Sequence, residues 1–272
     1  MSVVRRTVKV ASAAADRFRP AVAGVVVLVY HRVGGGSSLE IDLDPARFDA
    51  QIGAVAESGR AASLGEALDQ LAAAAAGGPT PESSVVVTFD DGTADFVEVA
   101  LPILVRHRIP ATLYLATDFV EGEHPFPGSG RPVSWSALRD ACATGLVDIG
   151  SHTHTHRLLD RIPAADAADE LERSVDLIGA RLGRVARDFA YPKAVAGSPE
   201  VDRLVRDRFR SAALAGTRVN PWRGTDPHRL ARSPIQVSDG MEFFERKLAG
   251  GMALEDSLRR AMNRVRYAKA TT

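Results

Sequence analysis

The chain has 272 residues, and its 34 basic and 34 acidic side chains leave a formal net charge of zero. Balanced charge supplies no global field for nucleic acid or an anionic membrane, while a hydrophobic fraction of 45% is ample for one large core. The single cysteine, Cys142, excludes an intrachain disulfide and a cysteine-rich zinc site, and reads as a small buried residue on a helix.

The opening MSVVRRTVKVASAAADRFRP lacks the continuous apolar run of a secretory leader. Arg5, Arg6, Lys9, Arg17 and Arg19 among valines and alanines spell an amphipathic helix over residues 1–20. It is expected to pack on its own domain, with contact to a membrane surface as the alternative. No segment offers the roughly 18 apolar residues of a membrane span, so the expected location is the cytoplasm.

GVVVLVY (24–30) is continuously apolar, as a strand buried on both faces should be. DPARFDAQIGAVAESG then starts a helix at Asp44 and Pro45, and SLGEALDQL starts another with Ser63 and Glu66 in capping-box spacing. SVVVTF (84–89) is the second buried strand, FVEVALPILVRHR a helix, ATLYLAT a strand, and EGEHPFPGSGRP a loop. SWSALRDACATG is a helix capped by Ser134. LVDIGSH is a strand, AADAADELERSVDLIGARLG a long helix and RDFAYP a strand. SPEVDRLVRDRF is helical, SAALAG and RLARSPIQV are strand-like, and amphipathic helices fill 241–267. This alternation, repeated about seven times, implies an α/β fold with a parallel sheet and right-handed crossovers. With no internal repeat and no dividing linker, the expectation is one closed or nearly closed barrel over 21–240. The helical segment 1–20 precedes it, and a helical segment 241–272 packs against it.

In such barrels chemistry gathers at the C-terminal strand ends. There the chain places His31 (LVYHRV), Asp90 and Asp91 (TFDDG), His152, His154 and His156 (GSHTHTH), and Tyr191 (FAYP). Asp-Asp-Gly is a good turn by itself, but two adjacent carboxylates repel unless a cation or proton intervenes. Beside histidines, a divalent metal would take one Asp as ligand and leave the other to accept a proton. Two imidazoles and one carboxylate leave zinc an open position for water. Spacing does not choose among the histidines, since residues four apart share a helical face and residues two apart an extended one.

VVVTFDDG, DIGSHTHTHRLL and DFAYP, in this order, resemble the first three motifs of the polysaccharide deacetylases, the NodB-homology or family 4 carbohydrate esterases. The resemblance covers roughly residues 25–237. It implies a single-domain, distorted (β/α)7-type barrel and removal of acetyl groups from acetylated amino sugars in a glycan, glycan precursor or glycoside. It also implies a divalent metal, zinc first, with Co2+, Mn2+ or Ni2+ as alternatives. By position, Asp90 matches the catalytic base, and Asp91, His152 and His156 the metal ligands. His154 is the variable middle residue, exposed or behind the ligands. The backbone N–H of Tyr191 matches the donor to the oxyanion. A late Leu-x-His general acid is missing, and LVYHRV resembles the early YH segment of one branch, which makes His31 the candidate acid. Ala190 stands where many relatives carry the arginine that pairs with the base, so Arg232 is the candidate replacement. Lys193 stands where relatives carry an aromatic. Trp135 and Trp222 are candidates for stacking on a sugar or for packing. The competing functions are hydrolysis of a non-sugar C–N bond on the same barrel, and carbohydrate binding without catalysis.

Overall fold

The computed structural model describes residues 3–16, 18, 20 and 22–257. Helix α1 (Val3–Asp16) leads into strand β1 (Gly24–Tyr30). The short strands β2 (Arg32–Val33) and β3 (Asp42–Leu43) precede helices α2 (Pro45–Glu57) and α3 (Leu64–Ala75). There follow β4 (Ser84–Phe89), α4 (Leu101–His107), β5 (Ala111–Leu115), α5 (Thr117–Glu121), α6 (Trp135–Ala143) and β6 (Val147–Ser151). The order ends with α7 (Ala164–Leu182), β7 (Asp188–Ala190), α8 (Pro199–Arg208), β8 (Ser211–Ala215), β9 (Asn220–Pro221), β10 (Leu230–Pro234) and α9 (Glu242–Leu248).

Seven parallel strands run in the order β10-β8-β7-β6-β5-β4-β1, and pairing of β10 with β1 closes them into a barrel. The distortion lies between β6 and β7, which share a single register pair, Ser151 with Phe189. By contrast β1 and β4 are matched over six consecutive pairs, from Val25–Ser84 to Tyr30–Phe89. β9 joins the start of β1 antiparallel.

Strand alternation divides the core. Val25 and Val27 of β1, Val86 of β4, Tyr114 of β5 and Ala213 of β8 cluster with Leu64, Leu68 and Leu71 of α3. Their alternates Val26, Leu28, Val85, Val87 and Leu113 pack with Phe48 and Ile52 of α2 and Leu104 of α4. Both faces of these strands are therefore covered, which is why they read as unbroken apolar runs. The helix starts follow the local chemistry: Asp44 accepts the N–H groups of Ala46 and Arg47, and Ser63 and Glu66 form a reciprocal capping box. One helix departs from expectation. Phe96–Ala100 is a π-helical turn, and the α-helix begins only at Leu101. Pro102 lacks the N–H that a regular turn would require, so the ladder re-registers there.

Helix α9 buries Phe244 and Leu248 in the main core, and its Phe243 packs on Ala13 of α1. Lys9 is not part of a solvent-facing basic stripe: it is 1% exposed, with Asp239 at 2.5 Å and Glu255 at 2.6 Å. Arg17, Arg19 and the segment 258–272 expected to be helical lie outside the described residues. Among the described residues no helix is long and apolar enough to cross a membrane.

Candidate functional site

Asp90 and Asp91 emerge from the end of β4. The Asp90 N–H still donates to Tyr30 O at 3.1 Å, extending the ladder by one residue. Asp91 then turns left-handed (φ 75°), and Gly92 follows with φ 106°. A Cβ on Gly92 would lie 2.8 Å from the Leu115 side chain, so the turn needs glycine for space as well as for φ. This reversal sends the two neighbouring carboxylates to different partners.

Asp90 is 5% exposed and receives a two-pronged hydrogen bond from Arg232 of β10, at 2.6 and 2.8 Å. Arg232 is itself fixed by Leu214 O at 3.3 Å, Thr88 Oγ1 at 3.4 Å and the Tyr114 ring at 5.2 Å. Burial alone would raise the Asp90 pKa; the guanidinium, helped by His152 and His31, outweighs it and holds the carboxyl well below the usual range. Asp90 is therefore ionised and geometrically locked.

The histidines follow β6. His152 Nδ1 donates to Ala190 O at 2.7 Å, which fixes the tautomer and leaves Nε2 with a lone pair. The chain then makes a tight turn with positive φ at Thr153 (68°) and His156 (61°). That turn is gripped from α7. The buried Glu170 carboxylate accepts the N–H groups of His154 at 3.0 Å and Thr155 at 2.7 Å, and the Thr155 hydroxyl at 2.5 Å. His156 N–H donates to Thr153 Oγ1 at 3.0 Å. Consequently His152 and His156 face each other, ring centroids 4.8 Å apart. His154 turns away into a separate buried setting, with Thr117 Oγ1 at 3.0 Å and Asp118 at 3.5 Å, so the exposed placement does not hold.

Asp91 Oδ1 lies 3.8 Å from His152 Nε2 and 3.5 Å from His156 Nε2, and one ligand atom from each of the three residues falls within 4.8 Å of the others. A divalent ion held at about 2.0–2.2 Å from nitrogen and oxygen donors fits between such atoms. The charge states fit as well. Burial lowers the His152 pKa, and burial together with His152 pushes His156 down to about 4, so both imidazoles are neutral at neutral pH. Asp90 lies beside this set, 3.9 Å from His152 Nε2.

These groups open on a cavity of about 430 Å³, the size of a small-ligand pocket. His31 lines it, and its Nδ1 is buried without a hydrogen-bond partner among the described residues. Phe119 and Phe126, stacked 4.4 Å apart, form part of its apolar lining with Leu39 and Pro127. Lys193 and Ala194 line it from the turn after β7.

One further expectation, the role of Tyr191, needs correction, and the two tryptophans take the packing alternative. The Tyr191 N–H is spent on Ala213 O at 3.1 Å, continuing the β7–β8 ladder, and its hydroxyl donates to Asp202 at 2.9 Å. Tyr191 does not line the cavity and offers no donor to an oxyanion there. Trp222 is buried and donates to Pro81 O at 2.9 Å, and Trp135 donates to Glu121 at 2.8 Å; neither borders the cavity. Glu170 was missed, since one acid in an acidic, polar helix carries no visible mark of a buried role.

Comparison with known proteins agrees with this arrangement. Residues 77–211 match the family model described as polysaccharide deacetylase. The chain belongs to the polysaccharide deacetylase family. The poly-beta-1,6-N-acetyl-D-glucosamine N-deacetylase of Staphylococcus aureus (strain N315) is 31% identical over 123 residues, which span 42% of this chain and 42% of that protein. A chitooligosaccharide deacetylase of Bradyrhizobium sp. (strain ANU 289) is 28% identical over 56% of this deacetylase-family chain and 61% of its own length. Among solved structures, IcaB from Ammonifex degensii superposes with a TM-score of 0.71 at 26% identity, over 83% of this chain and 97% of that one. BC0361 from Bacillus cereus shares the fold at 21% identity, with a TM-score of 0.68 over 82% of this chain and 68% of that one.

Proposed function

We propose that the protein is a metal-dependent deacetylase that hydrolyses the acetamide of an N-acetylated amino sugar. The observation that carries this reading is the convergence of Asp91, His152 and His156 beside the Arg232-locked carboxylate of Asp90. Two relatives, one named for poly-N-acetylglucosamine and one for chitooligosaccharide, support the substrate class, since both of these glycans carry an N-acetylglucosamine amide.

A divalent ion on Asp91, His152 and His156, zinc by the donor set, would supply Lewis acidity toward a water and toward the acetyl oxygen. The protein's own groups then divide the proton transfers. Asp90, kept ionised by Arg232, takes a proton from the water as its oxygen attacks the acetyl carbon. His152 keeps its Nδ1 proton on Ala190 O, so Nε2 stays available for binding rather than for proton transfer. The C–N bond breaks only with a proton on nitrogen, because an amide anion is a very poor leaving group. His31 is the cavity's candidate donor, and its unpartnered Nδ1 marks it as a side chain whose fold-internal contacts are incomplete. The products are acetate and a free amine.

The test is acetate release from an N-acetylglucosamine oligomer by the zinc-loaded chain, with chelated protein as control. Metal-dependent release supports the reading. Binding of the oligomer without release points to a silent carbohydrate-binding domain, and release only from non-sugar amides to the other hydrolase class.

A further inference from the structure

The charges around the cavity are balanced within the fold, with one exception. Asp90 is matched by Arg232. Arg32 lies 3.9 Å from Asp42 and 3.8 Å from Asp95, and two of its nitrogens donate to Gly128 O and Gly35 O. Asp91 faces the two imidazoles. Lys193 stands apart: it is exposed and lines the cavity, and among the described residues its ammonium has no carboxylate partner. A divalent ion on Asp91 would add further positive charge to the same end of the pocket.

The backbone puts Lys193 there at a cost. Lys193 and Ala194 are consecutive residues with positive φ, 53° and 56°, directly after the buried Pro192. Left-handed non-glycine residues are costly and persist where the surroundings impose them. The turn is closed by Ala194 N–H on Tyr191 O at 2.9 Å and Val195 N–H on Pro192 O at 3.2 Å. It thus presents the lysine to the cavity.

We infer that Lys193 binds an anionic group of the substrate, so that the favoured acetylated amino sugar carries a phosphate or a carboxylate close to its acetamide. The acetylated-sugar half of this statement rests on the function proposed above; the anion site does not. A cation without a counter-ion at the wall of a concave, partly apolar pocket discriminates through charge complementarity, and does so more strongly at low ionic strength.

Three probes separate the possibilities: methyl N-acetylglucosaminide is neutral, N-acetylglucosamine 1-phosphate carries a phosphate, and N-acetylmuramic acid a carboxylate. Binding by calorimetry and acetate release are measured on zinc-loaded wild type, Lys193→Gln and Lys193→Glu. The exposed position makes both variants compatible with folding. Wild type should bind at least one anionic sugar about fivefold tighter than the neutral glycoside, the effect of one partly exposed ion pair. The preference should vanish in Lys193→Gln, invert in Lys193→Glu, appear in KM rather than kcat, and fall with salt. Which anionic probe is preferred names the source of the charge. Equal binding of all three probes by wild type overturns the proposal. So does a preference that survives Lys193→Gln, which would place the anion elsewhere in the pocket. A fall in kcat of the same size on neutral and anionic sugars also overturns it, assigning Lys193 to the reaction itself. A Lys193-dependent preference without acetate release would sustain the anion site and sink deacetylation instead.

Discussion

Two buried charge clusters flank the segment 234–239, and they are built on opposite principles. Under α1 and α9, Asp239 takes Lys9 at 2.5 Å and Lys247 at 2.8 Å, while Glu255 takes Lys9 at 2.6 Å and Lys247 at 3.6 Å. Charges there alternate and answer one another. At the barrel mouth Asp90 is answered by Arg232, but Asp91 and two neutral imidazoles turn their lone pairs toward one another and His31 Nδ1 has no partner. A closed cluster ties elements together; an open one waits for something to bind. Pro234 and Gln236 connect the two, since both line the cavity while Lys247 donates to Pro234 O and Asp239 accepts the Gln236 N–H.

The sharpest way to break this contrast is substitution in the open cluster. His152→Ala should lose both metal and turnover. Asp90→Asn should keep metal, read by atomic absorption, and lose turnover by about a thousandfold, the middle of the range for general-base contributions. Retained turnover in Asp90→Asn would remove the assigned base.

In the closed cluster the expected loss is stability. Asp239→Asn leaves Lys9 and Lys247 short of a counter-charge and should cost about 3 kcal/mol in denaturant unfolding, with turnover per folded molecule preserved. The pH dependence follows in sign. Burial would raise the Asp239 carboxyl, but Lys247 and Lys9 outweigh it and hold it below its ordinary value. Its contribution is therefore complete above about pH 4 and lost as pH falls through the lowered value. Asp239→Asn should flatten the acid limb of the stability curve; an unchanged limb would count against the clasp.

Glu170 tests whether the metal turn is held from outside. Glu170→Gln keeps one acceptor for three donors, so zinc affinity in a chelator competition should fall about tenfold, and excess zinc should restore turnover. A thermal shift with unaltered affinity would reduce Glu170 to a structural part. Smallest of all, Tyr191→Phe removes the hydroxyl donated to Asp202 and should cost about 1 kcal/mol of stability while leaving turnover in place.

The elements most legible from sequence are those whose environment is uniform. β1, β4 and β5 are covered on both faces and read as unbroken apolar runs, and α2 and α3 announce their starts through Asp44 and Ser63. Asp90, Asp91 and His152 stand directly after strands, which is why they could be picked out together, whereas the choice of His156 over His154 came from the family resemblance. What stayed hidden depends on contacts distant in the chain. The role of Glu170 arises from a turn fifteen to sixteen residues earlier. The commitment of the Tyr191 N–H depends on where β8 falls, and the burial of Lys9 on Asp239, 230 residues away. The π-turn before Pro102 came from one missing N–H in a pattern that otherwise reads as regular helix.

The X-ray absorption spectrum of the zinc-loaded chain addresses the metal site most directly. Asp91, His152 and His156 require a first shell of nitrogen and oxygen at about 2.0–2.1 Å containing two imidazoles. That shell should be unchanged in His154→Ala and stripped of an imidazole in His156→Ala. A spectrum with fewer than two imidazoles, or one that changes with His154 instead of His156, would contradict the account.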